Sequence, residues 1–525
     1  MRTTFCLFPL ILCFSLRLVM AAEPPALWLY YPTNLLPDEN IPKLQAIWKR
    51  AAAAGYSKIL LGDSKFGHLS TLPDGYFKNC RKVRQIATDL KLDIVPSVFS
   101  VGYSNDLLFN DPNLAEGLPV KDTLFVVHDG MASCVADPEV TLTKPSFVDD
   151  TVQFNGDVAT VHGDAVHHRF AYKLSLPPFR CYHVSVDVKT QNFTAHPQIQ
   201  ALVGGERGLT FSNLTVGPTQ DWKRDDVIFN TLDQRDITLY FGVWDEAKGT
   251  LWWRNWKIEE VGLVNVLRRG GAPCTVKIEG GRDCVEGRDY DPIVDPHLGN
   301  DPWPGEYHVW HEPPLIHTHL PDGTRLRVSW YHPAIIYDGQ VCACISEPKT
   351  MALLADQAKR MKALWESDGY MMSHDEFRVL NWDASCRKMD RTPGQLLADN
   401  VRQCTALIQP KTAYVWSDML DPFHNAVPGP YYLVNGPYTD SWEGLDKSVV
   451  IVNWNYGKRD KSLKFFADRG HSQILAGYYD GPLSDWHNWL ASAKSTPNIV
   501  GYLYTTWENN YDHIEEFATM SREGK

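Results

Sequence analysis

Apolar and polar positions along this chain follow two rhythms. On the N-terminal side, short continuous apolar runs alternate with segments of helical spacing. Residues 26–32 read as a strand stopped by Pro32. Residues 41–54, with Leu44, Ile47, Trp48 and Ala51 on one face, read as a helix ended by Gly55. Strands at 57–63 and 93–99 then flank a helix at 77–90. Continuous apolar strands alternating with helices predict a parallel sheet covered on its faces.

Between 135 and 267 the helical spacing disappears. Alternating runs at 167–174, 182–188, 237–243 and 251–258 are separated by turn residues, which predicts an antiparallel β-sandwich. Residues 270–322 form a long Pro- and His-rich loop whose Trp303, Tyr307 and Trp310 suit a packed rim. The first rhythm then resumes, with strands at 325–333, 370–372, 412–421, 448–454, 473–480 and 499–508. Helices are expected at 351–365, 395–408, 462–468 and 486–493. The count is nine strands where an eight-stranded barrel needs eight, so either the first run or 325–330 lies outside it. The expected fold is α/β: a (β/α)8 TIM barrel interrupted after its third strand by an antiparallel β-sandwich of jelly-roll type. The expected partition is a signal peptide at 1–22, a first barrel part at 23–134, the sandwich at 135–267, and the rim loop with the remaining barrel at 268–525.

The N-terminus supports export. Arg2, an apolar stretch from Phe5 to Leu16, and Val19-Met20-Ala21-Ala22 form the pattern of a secretory signal, so a secreted or periplasmic protein starting near Glu23 is expected. No later stretch has the roughly 18–20 apolar residues that a membrane span needs. At 525 residues the chain exceeds one simple core. Its formal charge of −12 argues against nucleic-acid binding. Of 11 Cys, Cys6 and Cys13 fall in the signal segment. Cys274 and Cys284, in one irregular stretch, are the expected disulfide, and Cys342 and Cys344 read as buried thiols on one strand face.

The chemistry lies where the apolar runs stop. Tyr370-Met371-Met372 passes into His374, Asp375, Glu376 and Arg378. Other runs end in Asp63, in Tyr331 and His332, in Asp418 and Asp421, and in Asn453 and Trp454. The last two end in Tyr478 and Asp480, and in Trp507 and Glu508. At the C-terminal rim of a barrel such residues converge on one pocket. A pocket of carboxylates and aromatic rings suits a sugar, whose C–H faces meet Trp and whose hydroxyls meet Asp, Asn, His and Arg. Cleaving a glycosidic bond takes one carboxylic acid to protonate the leaving oxygen and a second group to stabilise or trap the oxocarbenium ion. Adjacent carboxyls divide that labour because like charges push their pKa values apart. Asp375 and Glu376 are therefore the expected catalytic residues and the others the expected binding residues, with an oligosaccharide or polysaccharide as substrate and neither cofactor nor metal.

On Asp375-Glu376 at the end of this strand, the chain resembles barrel glycoside hydrolases such as the family-20 β-N-acetylhexosaminidases. The resemblance implies Glu376 as general acid/base and Asp375 as the group steering the substrate's own acetamido nucleophile. It also implies Trp507 as a wall of the sugar site. The family's Gly-Gly before Asp-Glu is absent; Met371-Met372-Ser373-His374 stands there. A conventional double displacement, with a nucleophile from Asp418, Asp421, Asp480 or Glu508, is the alternative course. It requires a partner carboxyl about 5–5.5 Å from Glu376. The 135–267 segment is similar in strand rhythm to the carbohydrate-binding modules of secreted polysaccharide-degrading enzymes.

Three rival readings use the same residues. His332, His374, Asp375, Asp421 and His424 could ligate a metal in a hydrolase, although none stands in His-x-His or His-Glu-x-x-His spacing. A secreted sugar-binding protein with an inactive barrel would show the same pocket without turnover. His374 and Arg378 could also neutralise the Asp-Glu pair in a purely structural network.

Overall fold

The computed structural model describes residues 24–162 and 166–524; the expected signal segment lies outside them. Eight parallel strands close a barrel: β1 (Ala26–Pro32), β2 (Lys58–Gly62), β3 (Asp93–Val98), β4 (Gly369–Met372), β5 (Thr412–Trp416), β6 (Val450–Asn453), β7 (Gln473–Tyr478) and β8 (Ile499–Thr505). The closure is the pairing of β8 with β1, in which Leu27 lies opposite Tyr502 and Leu29 opposite Tyr504. Side chains alternate along each strand. Trp28, Leu60, Val95, Met371, Trp416, Val452, Ile474 and Leu503 fill the barrel interior. Leu29, Ile59, Leu61, Met372, Val415 and Ile451 face the covering helices.

Those helices follow from amphipathic spacing. Asn40–Ala53 buries Ile41, Leu44, Trp48 and Ala51, the face expected from sequence. Pro393–Ile408 begins at a reciprocal cap in which the Thr392 hydroxyl accepts from Gln395 N–H while the Gln395 side chain accepts from Thr392 N–H. Among the described residues no helix is long and apolar enough to cross a membrane.

Three five-stranded antiparallel sheets occur along the chain between β3 and β4. The first orders Gln220–Asn230, Cys181–Gln191, Thr250–Glu260, Val158–His162 and Val152–Asn155; the second orders Arg207–Gly208, Gln198–Val203, Asp236–Val243, His168–Ser175 and Phe147–Val148. They pack face to face. Trp253 of the first meets Phe170 and Phe241 of the second at ring separations of 6.4 and 6.1 Å.

The third sheet resolves the strand count. Its order is Thr275–Ile278, Arg325–Pro333, Gly117–His128, Met131–Cys134 and Ile316–His317. The surplus strand is therefore Arg325–Pro333, which pairs antiparallel with Gly117–His128 and takes no part in the barrel. Leu326, Val328 and Trp330 are buried on one face while Arg325 is exposed. Such one-sided alternation belongs to an antiparallel strand, since a barrel strand is buried on both faces. The expected disulfide is corrected: Cys274 and Cys284 are free. Cys284 N–H donates to the Val276 carbonyl, so the hairpin register sets Cys284 against Val276. Nor do Cys342 and Cys344 share a strand face. The Cys342 thiol reaches the Gly102 carbonyl and Cys344 faces Cys386.

Candidate active site

The inward row of each barrel strand continues past the strand's end. On β4 it passes from Met371 through Ser373 to Asp375, on β5 from Trp416 to Asp418, and on β8 from Leu503 through Thr505 to Trp507. Ser373, Asp375, Glu376, Trp416, Trp454, Tyr479 and Trp507 line one cleft of about 950 Å³. Asp63, Ser100, Tyr103 and Asp106 line it from the β2 and β3 side.

One side of the cleft is acidic. Asp418 is fully buried. Its carboxylate accepts from Glu376 N–H at 2.9 Å, from the Asn425 amide at 3.1 Å and from the Trp454 indole at 3.4 Å. Burial, then the neighbouring Asp418 charge, pushes the Asp375 carboxyl up to about 8. Burial followed by the Glu376 charge pushes Asp418 up to about 7. The two titrate as a pair that keeps a proton near neutral pH. Glu376 sits in a different environment: Arg378 pairs with it at 2.7 Å and the Tyr103 hydroxyl donates to the same carboxylate oxygen.

Backbone geometry separates the two neighbours. Glu376 has φ +45°, a left-handed conformation rare outside glycine. A clamp holds it: Gln340 Nε2 donates to the carbonyls of Glu376 at 2.9 Å and Gly102 at 3.0 Å, while Gln340 Oε1 accepts from Arg378. Gly102 lies so close that an added Cβ would stand 2.2 Å from the Asp375 carbonyl oxygen.

Beside these acids the cleft is aromatic. Trp454 stacks on Tyr479 at 5.5 Å with planes 4° apart. Trp507 meets Tyr479 at 5.7 Å, Tyr30 at 5.1 Å and Trp416 at 6.4 Å. Tyr479 reaches this wall because Tyr478, Tyr479 and Asp480 are successively left-handed, at φ 71°, 58° and 58°.

Of the residues expected at the site, Asp375, Glu376, Asp63, Trp454 and Trp507 line the cleft; Asp418 and Arg378 stand directly behind it. Asp63 is held by Leu35 and Lys65 N–H groups and the Tyr76 hydroxyl. The remaining residues serve neighbouring structure. Tyr331 and His332 belong to the third sheet, where buried His332 contacts Asn230 at 3.1 Å. His374 points away to Asn400 at 2.9 Å, and burial lowers its pKa to about 4. Asp421 accepts from Phe423 N–H and Asn455, and Asn453 accepts from Asn455 N–H. Tyr478 stacks on Tyr504. Asp480 accepts from the N–H groups of Trp507 and Glu508, which leaves Glu508 outside the lining. Among the described residues, His332, His374, Asp375, Asp421 and His424 do not gather as a ligand set.

Tyr30, Trp416, Tyr103 and Asp106 are lining residues that the sequence reading passed over. Two of them had a signal: Tyr30 follows Trp28, and Trp416 follows Tyr414, at a spacing of two. Asp106 is a half-buried carboxyl that desolvation pushes up to about 6, accepting from Ser100 Oγ at 2.6 Å.

No family model matches the chain, and no curated protein matches it. Among solved structures, it is similar to a rhamnosidase from Novosphingobium sp. PP1Y, at 10% identity over 95% of this chain and 58% of that one, with a TM-score of 0.33. It is also similar to a GH26-CBM35 beta-(1,4)-mannanase from Podospora anserina, at 10% identity over 77% of this chain and 96% of that one, with a TM-score of 0.19. A structure described as a CBM4 module matches 22% of this chain and 77% of its own at 15% identity, with a TM-score of 0.18. Likenesses at these scores carry no functional argument.

Proposed function

We propose that this protein is a glycoside hydrolase acting on an oligosaccharide or polysaccharide. The observation that supports it is the make-up of one cleft: Asp375 and Glu376, backed by Asp418, beside the flat faces of Trp454, Tyr479 and Trp507. The pairing of Asp375 with Asp418 favours a carboxyl that still holds a proton near neutral pH, which is what the leaving oxygen requires. Glu376, paired with Arg378 and bonded by Tyr103, suits the second role of stabilising or trapping the oxocarbenium ion. This assignment exchanges the roles that the family-20 resemblance implies. In both versions the carboxyls at 375 and 376 share the work.

A panel of chromogenic glycosides, N-acetylated ones included, tests the proposal on wild type, Asp375→Asn and Glu376→Gln. Each variant is expected to lose about 10²–10⁴-fold in turnover on a poor leaving group. Asp375→Asn keeps more activity on aryl glycosides whose leaving group needs no proton, and Glu376→Gln does not. Undiminished cleavage by both variants would remove the pair from the mechanism.

A further inference from the structure

Outside the cleft, four side chains from three distant stretches converge beyond the reach of solvent. Glu116 precedes Gly117–His128, Cys344 precedes helix Pro348–Trp365, and Asp383 and Cys386 belong to the cap and body of helix Ala384–Lys388. None is more than 1% exposed. One ligand-capable atom from each lies within 4.8 Å of the other three. The two sulfurs are 3.6 Å apart, and Glu116 Oε2 is 3.3 Å from Cys386 Sγ.

These separations approach those of a tetrahedral zinc shell. Bonds of about 2.3 Å to sulfur and about 2.0–2.2 Å to oxygen set neighbouring ligand atoms about 3.4–3.8 Å apart. The hydrogen bonds around the cluster are sparse at Glu116 Oε2 and Cys344 and fuller at Asp383 and Cys386, whose thiol also meets Ser346 Oγ at 3.2 Å. Glu116 Oε1 accepts from the N–H groups of Trp382 and Asp383, whereas Oε2 meets only the Cys386 thiol. Asp383 Oδ1 accepts from Cys386 N–H. Arg269, the neighbouring cation, is occupied by Asp383 at 2.5 Å, Glu347 at 2.6 Å and the carbonyls of Asn113 and Ala115. Of the two cluster carboxyls, both withdrawn from water, Arg269 bonds only Asp383, and burial favours a second positive charge beside Glu116.

We propose that Glu116, Cys344, Asp383 and Cys386 bind one zinc ion. The two thiols lose their protons to solvent on binding, and no electron transfer is involved. Four protein ligands leave no open position, so the ion is structural: it ties residue 116 to the 383–386 helix that follows the Asp375-Glu376 segment. The inference is independent of the glycosidase proposal.

The test is the metal content of the full chain, purified without chelator or reductant. Wild type is expected to retain about one zinc per chain after dialysis. Cys344→Ser and Cys386→Ser should each lower it roughly fivefold or more, while Cys404→Ser, buried elsewhere, leaves it unchanged. Should the serine variants fail to fold, wild type alone decides. A strong chelator is expected to lower its Tm, and added zinc, but not magnesium, to restore it. A zinc-free protein whose Tm ignores added zinc would overturn the proposal. So would an unreduced digest containing Cys344 and Cys386 as one linked peptide two hydrogens lighter than its parts.

Discussion

Burial first, then the Asp418 charge at Asp375 and the Glu376 charge at Asp418, raise both carboxyls, and the sign of the pH dependence follows. A donor must be protonated to act, so kcat/KM is expected to fall as pH rises through about 7 to 8. Asp418→Asn removes the negative charge that raises Asp375. The alkaline limb should then move to lower pH, as a pH profile of initial rates would show. A limb that stays in place would separate Asp418 from the proton donor. Stability has the same sign. Both carboxyls sit above the usual aspartate value of about 3.9, so the folded chain holds protons that the unfolded chain releases, and stability drains away as pH climbs from that value toward about 8. The aspartates themselves were readable from sequence, because each ends an apolar run. Which of them keeps a proton was not, because that depends on burial and on a neighbour 43 positions away, from Asp375 to Asp418.

At the scale of elements, the barrel strands announced themselves by unbroken apolar runs and the covering helices by a single apolar face. Two features stayed hidden. Arg325–Pro333 was one of two candidates for the strand outside the barrel and was not singled out, although Arg325, Arg327 and Ser329 alternate with Leu326, Val328 and Trp330. The pattern of a half-exposed strand was present, and the neighbouring barrel rhythm masked it. Which of Tyr478, Tyr479 and Asp480 faces the cleft was hidden for a different reason: three successive left-handed residues break the period of two on which inward and outward assignments rest. The close approach of the 102 and 375–376 segments is likewise a matter of tertiary contact. It predicts that Gly102→Ala will fold yet lose about 10²-fold in kcat, since the new methyl displaces the Asp375 carbonyl by roughly an ångström. A thermal melt close to wild type alongside that loss is the expected result; unchanged kcat would mean that the 375–376 backbone has slack.

Across the whole molecule, the third sheet joins the sandwich to the rest of the chain. Its Val120, Phe125 and Trp330 share one core with Cys181, Val261, Leu263 and Val266, which lie in or just after the sandwich strands. Trp330 is fully buried within that cluster. Trp330→Ala is expected to cost about 3–5 kcal/mol in denaturant unfolding. A loss below about 1 kcal/mol would show that the sheet relaxes around the gap. The two walls of the cleft also differ in how they are built. Asp375, Glu376 and Asp418 come from consecutive strands, β4 and β5, whereas the contact of Tyr30 with Trp507 bridges β1 and β8, the two ends of the barrel. During synthesis the acidic half is therefore complete more than eighty residues before Trp507 leaves the ribosome. A chain cut short after β7 would own its acids but lack the closing ring face, so capacity to grip a flat ligand arrives only when the barrel's circle is shut.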